Sequence, residues 1–301
     1  MITNFEQIYE RLRSKSKKRL VAAWSVDDHT ITAAYKAVQM GIVDATLVGD
    51  TEMIRQVCRN ENIDPSVFTI IHNDNELNSI AQAVGMVREG QGDILMKGLC
   101  STDKYMRGIL NKERGLLPPK AVLSHVCVLG NPNYHKLIVL GDMAVIPLPD
   151  LNQKIAITKY LVNTAKALDI AKPKVALLAA TEQMLPGMQA CVDAAIIAKM
   201  IERGQIPGCV GDGPLALDVA ISAEAAAIKK LQSPVAGDAD CLLFPNIESA
   251  NVFYKVNSQL CKDVKQAAIV AGAMAPCVLS SRADSIDTKL NSIALAALSA
   301  K

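Results

Sequence analysis

A chain of 301 residues has room for one large or two medium domains. Half of it is hydrophobic but only 4% is aromatic, so its core is aliphatic and no aromatic surface for stacking bases is available. Thirty-two basic and 30 acidic residues leave a formal charge of +2 with no basic block, which argues against nucleic-acid binding and leaves any anionic ligand to a local site.

From the start of the chain, strand-like and helix-like patterns alternate. Leu20 to Val26 reads as a buried strand, followed by a helix over Thr30 to Gln39 that stops at Gly41. Ala45 to Val48 is the next strand, then a helix over Glu52 to Asn60, strand Val67 to Ile71, helix Glu76 to Glu89 and strand Ile94 to Met96. This rhythm predicts a parallel sheet with helices on both faces, where ligands gather beyond the carboxyl ends of the strands. Ala121 to Leu129 and Lys136 to Leu140 predict an antiparallel hairpin closed by Gly130-Asn-Pro-Asn. Gly141-Asp142 and Pro147-Leu-Pro149 then interrupt the pattern.

The rhythm restarts with a helix from Asp150 to Ala167, strand Val175 to Ala180, helix Gln189 to Arg203 and strand Cys209 to Val210. A helix over Leu217 to Lys230, strand Cys241 to Phe244, helix Ala250 to Lys262 and strands Ala267 to Val270 and Val278 to Leu279 follow. A last helix carries Ile286, Leu290, Ile293 and Ala297 on one face, with Asp284 or Ser285 as N-cap. The expected fold is therefore α/β in two domains, 1–145 with 270–301 and 146–269, with the last helix returning to the first domain beside the cleft between them.

The eight cysteines stand singly, with no C-x-x-C, and fit free buried thiols in a reducing compartment better than a disulfide framework. His29, His72, His125 and His135 make no H-x-x-x-H or H-E-x-x-H, so no metal site is expected. The first residues hold no apolar signal core, and no run approaches the ~18 apolar residues of a membrane span. The expectation is a soluble cytoplasmic protein with neither a membrane segment nor a nucleic-acid partner.

Chemistry concentrates after the strands. Ser280, Ser281 and Arg282 are followed at once by a helix start, so hydroxyls, a guanidinium and free N–H groups converge, as a tetrahedral oxyanion such as phosphate requires. Lys97-Gly98, followed by hydroxyl caps at Ser101 and Thr102, forms a second potential anion cradle with no Walker or dinucleotide spacing. Asp212-Gly213-Pro214 precedes a helix, with Pro214 suited to its first turn, and Asp212 or Asp218 could accept hydrogen bonds from a ligand. Asn246 follows a strand at the ligand-binding end; Asp238 and Asp240 precede it with no metal-ligand spacing. Ser124-His125 lies within an apolar run, where a histidine is more often core than catalytic. A triad of Ser281, His125 and Asp142 can be drawn, but no G-x-S-x-G elbow supports it.

Taken together, Met96-Lys-Gly-Leu, Leu123-Ser-His-Val, Asp212-Gly-Pro-Leu-Ala-Leu-Asp218, Gly237-Asp-Ala-Asp and Leu279-Ser-Ser-Arg-Ala-Asp-Ser285 resemble the phosphate acetyltransferase/phosphate butyryltransferase family, closest to the butyryltransferases. The resemblance runs end to end. It implies a fold like that of the isocitrate and isopropylmalate dehydrogenases and a homodimer or larger homo-oligomer. It also implies reversible transfer of a short acyl group between CoA and inorganic phosphate, with acyl-CoA and phosphate as substrates and no cofactor or metal. Ser281 and Arg282 match the family's phosphate-binding pair, and Ser280, Ser285, Lys97, Ser124, His125, Asp212, Gly213, Pro214 and Asn246 complete the expected phosphate and CoA contacts. The family's proton-accepting Asp falls on Thr288, which leaves Asp284, Asp287 or another group for that role. The alternatives are an acetyl-CoA-specific sister and a non-catalytic acyl-CoA sensor. Retention of Ser281-Arg282 in a chain with nothing fused to it argues against the sensor. A decarboxylating dehydrogenase would need an acid cluster for metal and a dinucleotide pocket, and neither motif is found.

Overall fold

The structure, a computed structural model, describes residues 1–280 and 284–300. Its first half contains α1 (Phe5–Arg13), β1 (Lys18–Ala23), α2 (Asp28–Gln39), β2 (Val43–Gly49), α3 (Thr51–Asn60), β3 (Thr69–His72), α4 (Glu76–Arg88), β4 (Ile94–Lys97), α5 (Thr102–Leu110), β5 (Ser124–Gly130) and β6 (Ile138–Gly141). The second contains α6 (Leu151–Ala167), β7 (Lys174–Leu178), α7 (Gln189–Glu202), β8 (Val210–Leu215), α8 (Leu217–Ile221), α9 (Ala223–Ile228), β9 (Cys241–Leu243), α10 (Ile247–Leu260), β10 (Lys265–Ala271), β11 (Cys277–Val278) and α11 (Ile286–Ser299). The chain forms two compact units, Phe5–Leu123 with Gln266–Lys301 and Met1–Asn4 with Ser124–Lys265. The β5–β6 hairpin thus belongs to the second unit, although the sequence pattern places its break after the hairpin, near residue 145.

In the first unit the strand order is β3-β2-β1-β4-β11-β10. All neighbours are parallel except β10, which runs antiparallel to β11. Leu20 to Ala23, Leu47 to Gly49 and all of β4 are buried, as strands covered on both faces require. Each parallel strand leads into a helix whose first turn is capped by a side chain, Asp27 for α2, Asp50 for α3, Asn75 for α4, Ser101 for α5 and Ser285 for α11. These helix starts therefore gather at the carboxyl edge of the sheet. β1 stops before the expected Val26 because Trp24 turns the chain with φ 51°.

α11 departs from the one-faced pattern expected of it. Every residue from Lys289 to Leu298 is buried, so this helix is enclosed nearly all round, and its small Ala and Ser residues allow the close approach. Its polar groups are satisfied inside: Ser292 Oγ accepts from Ala268 N at 2.9 Å, and Asn291 Oδ1 accepts from the Tyr9 hydroxyl.

In the second unit the order is β5-β6-β9-β7-β8, parallel but for the expected antiparallel β5–β6 hairpin. Two expectations fail here. Pro214 does not open a helix: β8 runs through Asp212-Gly213-Pro214, and α8 starts only at Leu217. β8 is the border strand of this unit's order, where a missing N–H is tolerated. Ala176 pairs with Asp212 and Leu178 with Leu215, so two residues of β8 oppose Leu177 alone, as in a bulge. The single helix expected over 217–230 is two, because Ser222 leaves helical geometry (φ −120°, ψ 114°) and caps α9 through Ala225 N.

Candidate active site

The carboxyl edge of the first unit holds the richest chemistry. Ser281, Arg282 and Ala283 lie outside the described residues. Ser280 is buried, and its Oγ accepts from Lys289 Nζ at 3.1 Å. On the far side, Ser285 rather than Asp284 is the N-cap of α11, accepting from Thr288 N at 3.1 Å. His29 Nδ1 lies 3.2 Å from Asp284 O, a contact that requires the proton on Nδ1 because a carbonyl only accepts.

Lys289 carries no motif signal, and sequence reasoning missed it. It lies in the first turn of α11 and is only 3% exposed. Burial pushes its ammonium below the usual lysine range, opposed by the charges of Asp27, Asp284 and Asp28. α11 thus brings Ser280, Asp284, the start of α2 and a buried cation together. Asp27 and Asp28 reach it only through the tertiary fold.

Asp287 is different. It is exposed and pairs with Lys36 at 3.3 Å. Thr288, on which the resemblance places the family's proton-accepting Asp, is taken up by the cap, its Oγ1 lying 3.1 Å from Ser285 Oγ. Lys97 ends β4 and is buried; its ammonium donates to Gly98 O at 3.0 Å and Cys100 O at 2.8 Å. Gly98 permits the next step: a Cβ there would stand 2.3 Å from Trp24 O, so only glycine lets this turn lie against the end of β1.

The remaining candidates belong to the second unit. Ser124 and His125 open β5 and are buried, and the Ser124 hydroxyl has no hydrogen-bond partner. Pairing of Val126 with Gly141 sets them level with Asp142, at the edge where β6 ends. Asp142 accepts from the backbone N–H groups of Ala144, Val145 and Ile146 at 2.9, 3.0 and 3.2 Å, so it organises the loop after β6. Asn246 caps α10 through Ser249 N, and Asp212 Oδ1 accepts from Gly213 N. At the same edge Glu182 and Asp218 both hold Lys229, at 3.1 Å each. Among the described residues no group of three or more His, Cys, Asp or Glu side chains is placed to hold a metal ion, and no helix is long and apolar enough to cross a membrane.

Comparison with known proteins gives this geometry its context. The chain is 43% identical over 298 residues to a phosphate butyryltransferase of Clostridium acetobutylicum, covering 99% of this chain and 98% of the relative. A phosphate acetyltransferase of Thermotoga maritima is 39% identical over 296 residues, covering 97% and 98%. Among solved structures, a branched-chain phosphotransacylase from Enterococcus faecalis V583 superposes with a TM-score of 0.82 at 30% identity, covering 94% of this chain and 98% of that one. A 4-hydroxythreonine-4-phosphate dehydrogenase from Burkholderia phymatum, 12% identical with a TM-score of 0.55 over 95% and 99% of the two chains, shares the fold alone. That fold is the isocitrate/isopropylmalate dehydrogenase-like one expected from the sequence. The family model described as phosphate acetyl/butaryl transferase matches residues 3–82 and 73–297. The chain is a phosphate acyltransferase and belongs to the phosphate acetyl/butyryl transferase family.

Proposed function

We propose that this protein moves a butyryl group between CoA and inorganic phosphate. The near-complete match to a phosphate butyryltransferase carries the reading. In one direction a phosphate oxygen attacks the thioester carbonyl, the C–S bond breaks and thiolate leaves. Negative charge develops on the former carbonyl oxygen and on sulfur. Arg282 offers a planar fork that matches phosphate, while Ser281 and the N–H groups at the start of α11 supply donors for the developing charge. Lys97, Ser280 and Ser285 shape this junction. Ser124, His125, Asp212, Gly213, Pro214 and Asn246 are reserved for the CoA ester.

Asp284 takes the thiol proton in the reverse direction. Support comes from its half-buried position beside the junction, whereas Asp287 is exposed and engaged by Lys36. The substrates are the CoA ester and phosphate, with no further cofactor. The protein acts in the cytoplasm as a homodimer or larger assembly. Seven buried free thiols suit a reducing compartment, and Val252, Val256 and Leu260 leave an exposed apolar stripe on α10 suited to a subunit contact.

The test is phosphate-dependent release of free thiol from butyryl-CoA, followed with a thiol reagent, in wild type and Arg282→Ala. Wild type turns over, and the variant loses about 10²–10³-fold, as expected for one lost charge-stabilising group. Running acetyl-CoA in parallel separates the second reading, which the acetyltransferase relative favours. Two buried methylenes at ~0.8 kcal/mol each correspond to roughly tenfold preference for butyryl-CoA. No activity with either ester sinks the enzyme reading.

A further inference from the structure

We propose that a small hollow in the second unit receives the end of the acyl chain, and that Ala194 and Ile197 set the length it accepts. This inference deepens the proposed function and rests on the reading that a butyryl CoA ester is the substrate. The hollow lies where β7 and β9 end, the edge of a parallel sheet at which ligands gather, and all of it belongs to that one unit. Ala190, Ala194 and Ile197 line it from α7, at the i, i+4, i+7 spacing of one helix face. Leu243 and Phe244 line it from the end of β9, and the chain runs on from Phe244 through Pro245 to Asn246, one of the residues reserved for the ester.

Three features suit an uncharged hydrocarbon end. Ala190, in the first turn of α7, is half-buried, whereas Ala194 and Ile197, one and two turns further along, are buried, so the lining passes from the sheet edge into the core. Each methylene buried against such walls favours binding about fourfold. The polar side of the hollow is the buried pair of Lys154 and Asp193, 2.7 Å apart, with Gln189 Nε2 donating to Asp193 at 2.8 Å. Its charges cancel, so a phosphate would meet a carboxylate as well as an ammonium, while a neutral chain meets no net charge. The space itself takes little more than one methyl-sized group. That is too small for the pantetheine arm or the nucleotide of CoA, and it fits the last carbon of a short chain. An acetyl group has no carbon beyond its methyl to place there; a butyryl group has two. The small side chain of Ala194 keeps the space open, and Ile197 closes it two turns into the helix.

Ala194→Val, which fills the hollow, is compared with Ile197→Val, which deepens it by one methylene, in thiol release from acetyl-, butyryl- and pentanoyl-CoA. In wild type, kcat/KM favours butyryl-CoA over acetyl-CoA roughly tenfold. Ala194→Val brings that ratio to within about twofold of unity. Ile197→Val raises the ratio of pentanoyl-CoA to butyryl-CoA about fourfold, the worth of one further buried methylene. A general loss of packing would lower all three esters together and leave both ratios as they were. An unchanged ratio in either variant overturns the proposal and leaves the reaction reading standing; if Ala194→Val does not fold, Ile197→Val decides alone. If wild type turns over acetyl-CoA in preference to butyryl-CoA, the butyryl reading falls and the chain-end pocket with it. If wild type turns over none of the three esters, the enzyme reading falls as well.

Discussion

Replacing Gly98 with alanine asks whether the ends of β1 and β4 must stay locked together for turnover. The added Cβ would lie 2.3 Å from Trp24 O and 2.7 Å from Ala23 O, both backbone atoms that cannot swing aside as a side chain does. Reaching an ordinary contact of 3.4 Å means opening the junction by about 1 Å. Two hydrogen bonds of 2.9 Å, Gly98 N to Ala23 O and Leu99 N to Trp24 O, would stretch past useful length. The first is buried and worth about 1–3 kcal/mol when left unsatisfied, the second about 1 kcal/mol, so the loss is roughly 2–4 kcal/mol. Because Lys97 moves with it, a misplacement of this size also lowers kcat about 10²-fold. Trp24 is the only tryptophan, so urea unfolding followed by its fluorescence reports on the strained point itself, and thiol release reports turnover. Gly85, in α4 with nothing within 4 Å of its would-be Cβ, is the control. Gly85→Ala should gain about 0.5–1 kcal/mol and leave the rate alone. A Gly98→Ala protein with the wild-type urea midpoint and rate refutes the argument.

Asp284→Asn lowers the rate of butyryl phosphate plus CoA by about 10²-fold or more, whereas Asp287→Asn stays close to wild type. The opposite ranking reassigns the proton acceptor to Asp287. Lys154 and Asp193 form a buried pair at 2.7 Å, with Gln189 Nε2 donating to Asp193 at 2.8 Å. Asp193→Ala strands the ammonium and costs about 3–5 kcal/mol by urea titration, and adding Lys154→Met recovers much of that. No recovery in the double variant argues against the pair as the cause. Burial alone would raise the Asp238 carboxyl, but hydrogen bonds from Lys136 and Lys174, the Lys136 charge and His135 together hold it well below the usual carboxylate range. A depressed carboxyl stabilises the fold above its unfolded pKa, about 3.9, and that stability is lost as pH falls toward the folded value. The stability gap between wild type and Asp238→Asn should therefore hold near neutrality and narrow below about pH 4. A gap that stays constant into strong acid contradicts this.

Local signals in the sequence translated well. The expected antiparallel hairpin forms, though its strands are Ser124–Gly130 and Ile138–Gly141 and its connection runs past Gly130-Asn-Pro-Asn, and Ser101 and Ser285 cap the helices their hydroxyls suggest. The misreadings arise where a tertiary partner overrides a local preference. Pro214 is at home in a border strand because only β7 needs to pair with β8 in that unit, which neighbouring residues do not reveal. Ser222 splits a helix because its hydroxyl competes for the backbone, a choice that Ala-rich flanks hide. α11 looked amphipathic because only its large residues were counted, whereas Ala, Ser and even Lys289 are enclosed too. Lys289 itself was invisible for a different reason. Its meaning depends on Asp27 and Asp28, which are distant in sequence and reach it only because α2 and α11 share one sheet edge.

Several helix starts along one sheet edge follow from parallel topology and by themselves do not distinguish a phosphate site. Charge does. α2 and α5 begin with acids, Asp28 and Asp103, in the sense the helix dipole favours. α11 has Asp287 in its first turn but also buries Lys289 there. Around that ammonium stand Asp27, Asp28 and Asp284, so these described groups alone would repel a phosphate dianion. On the function proposed above, Arg282 supplies the second cation that the sequence places at the junction, and the two cations act together. Deleting either leaves one positive charge against three carboxylates and the incoming anion. Arg282→Ala and Lys289→Met should therefore each remove most of the calorimetric affinity for inorganic phosphate, and the double variant should add little to either. If the two losses in free energy simply add, each cation binds phosphate on its own account and the shared-charge argument fails.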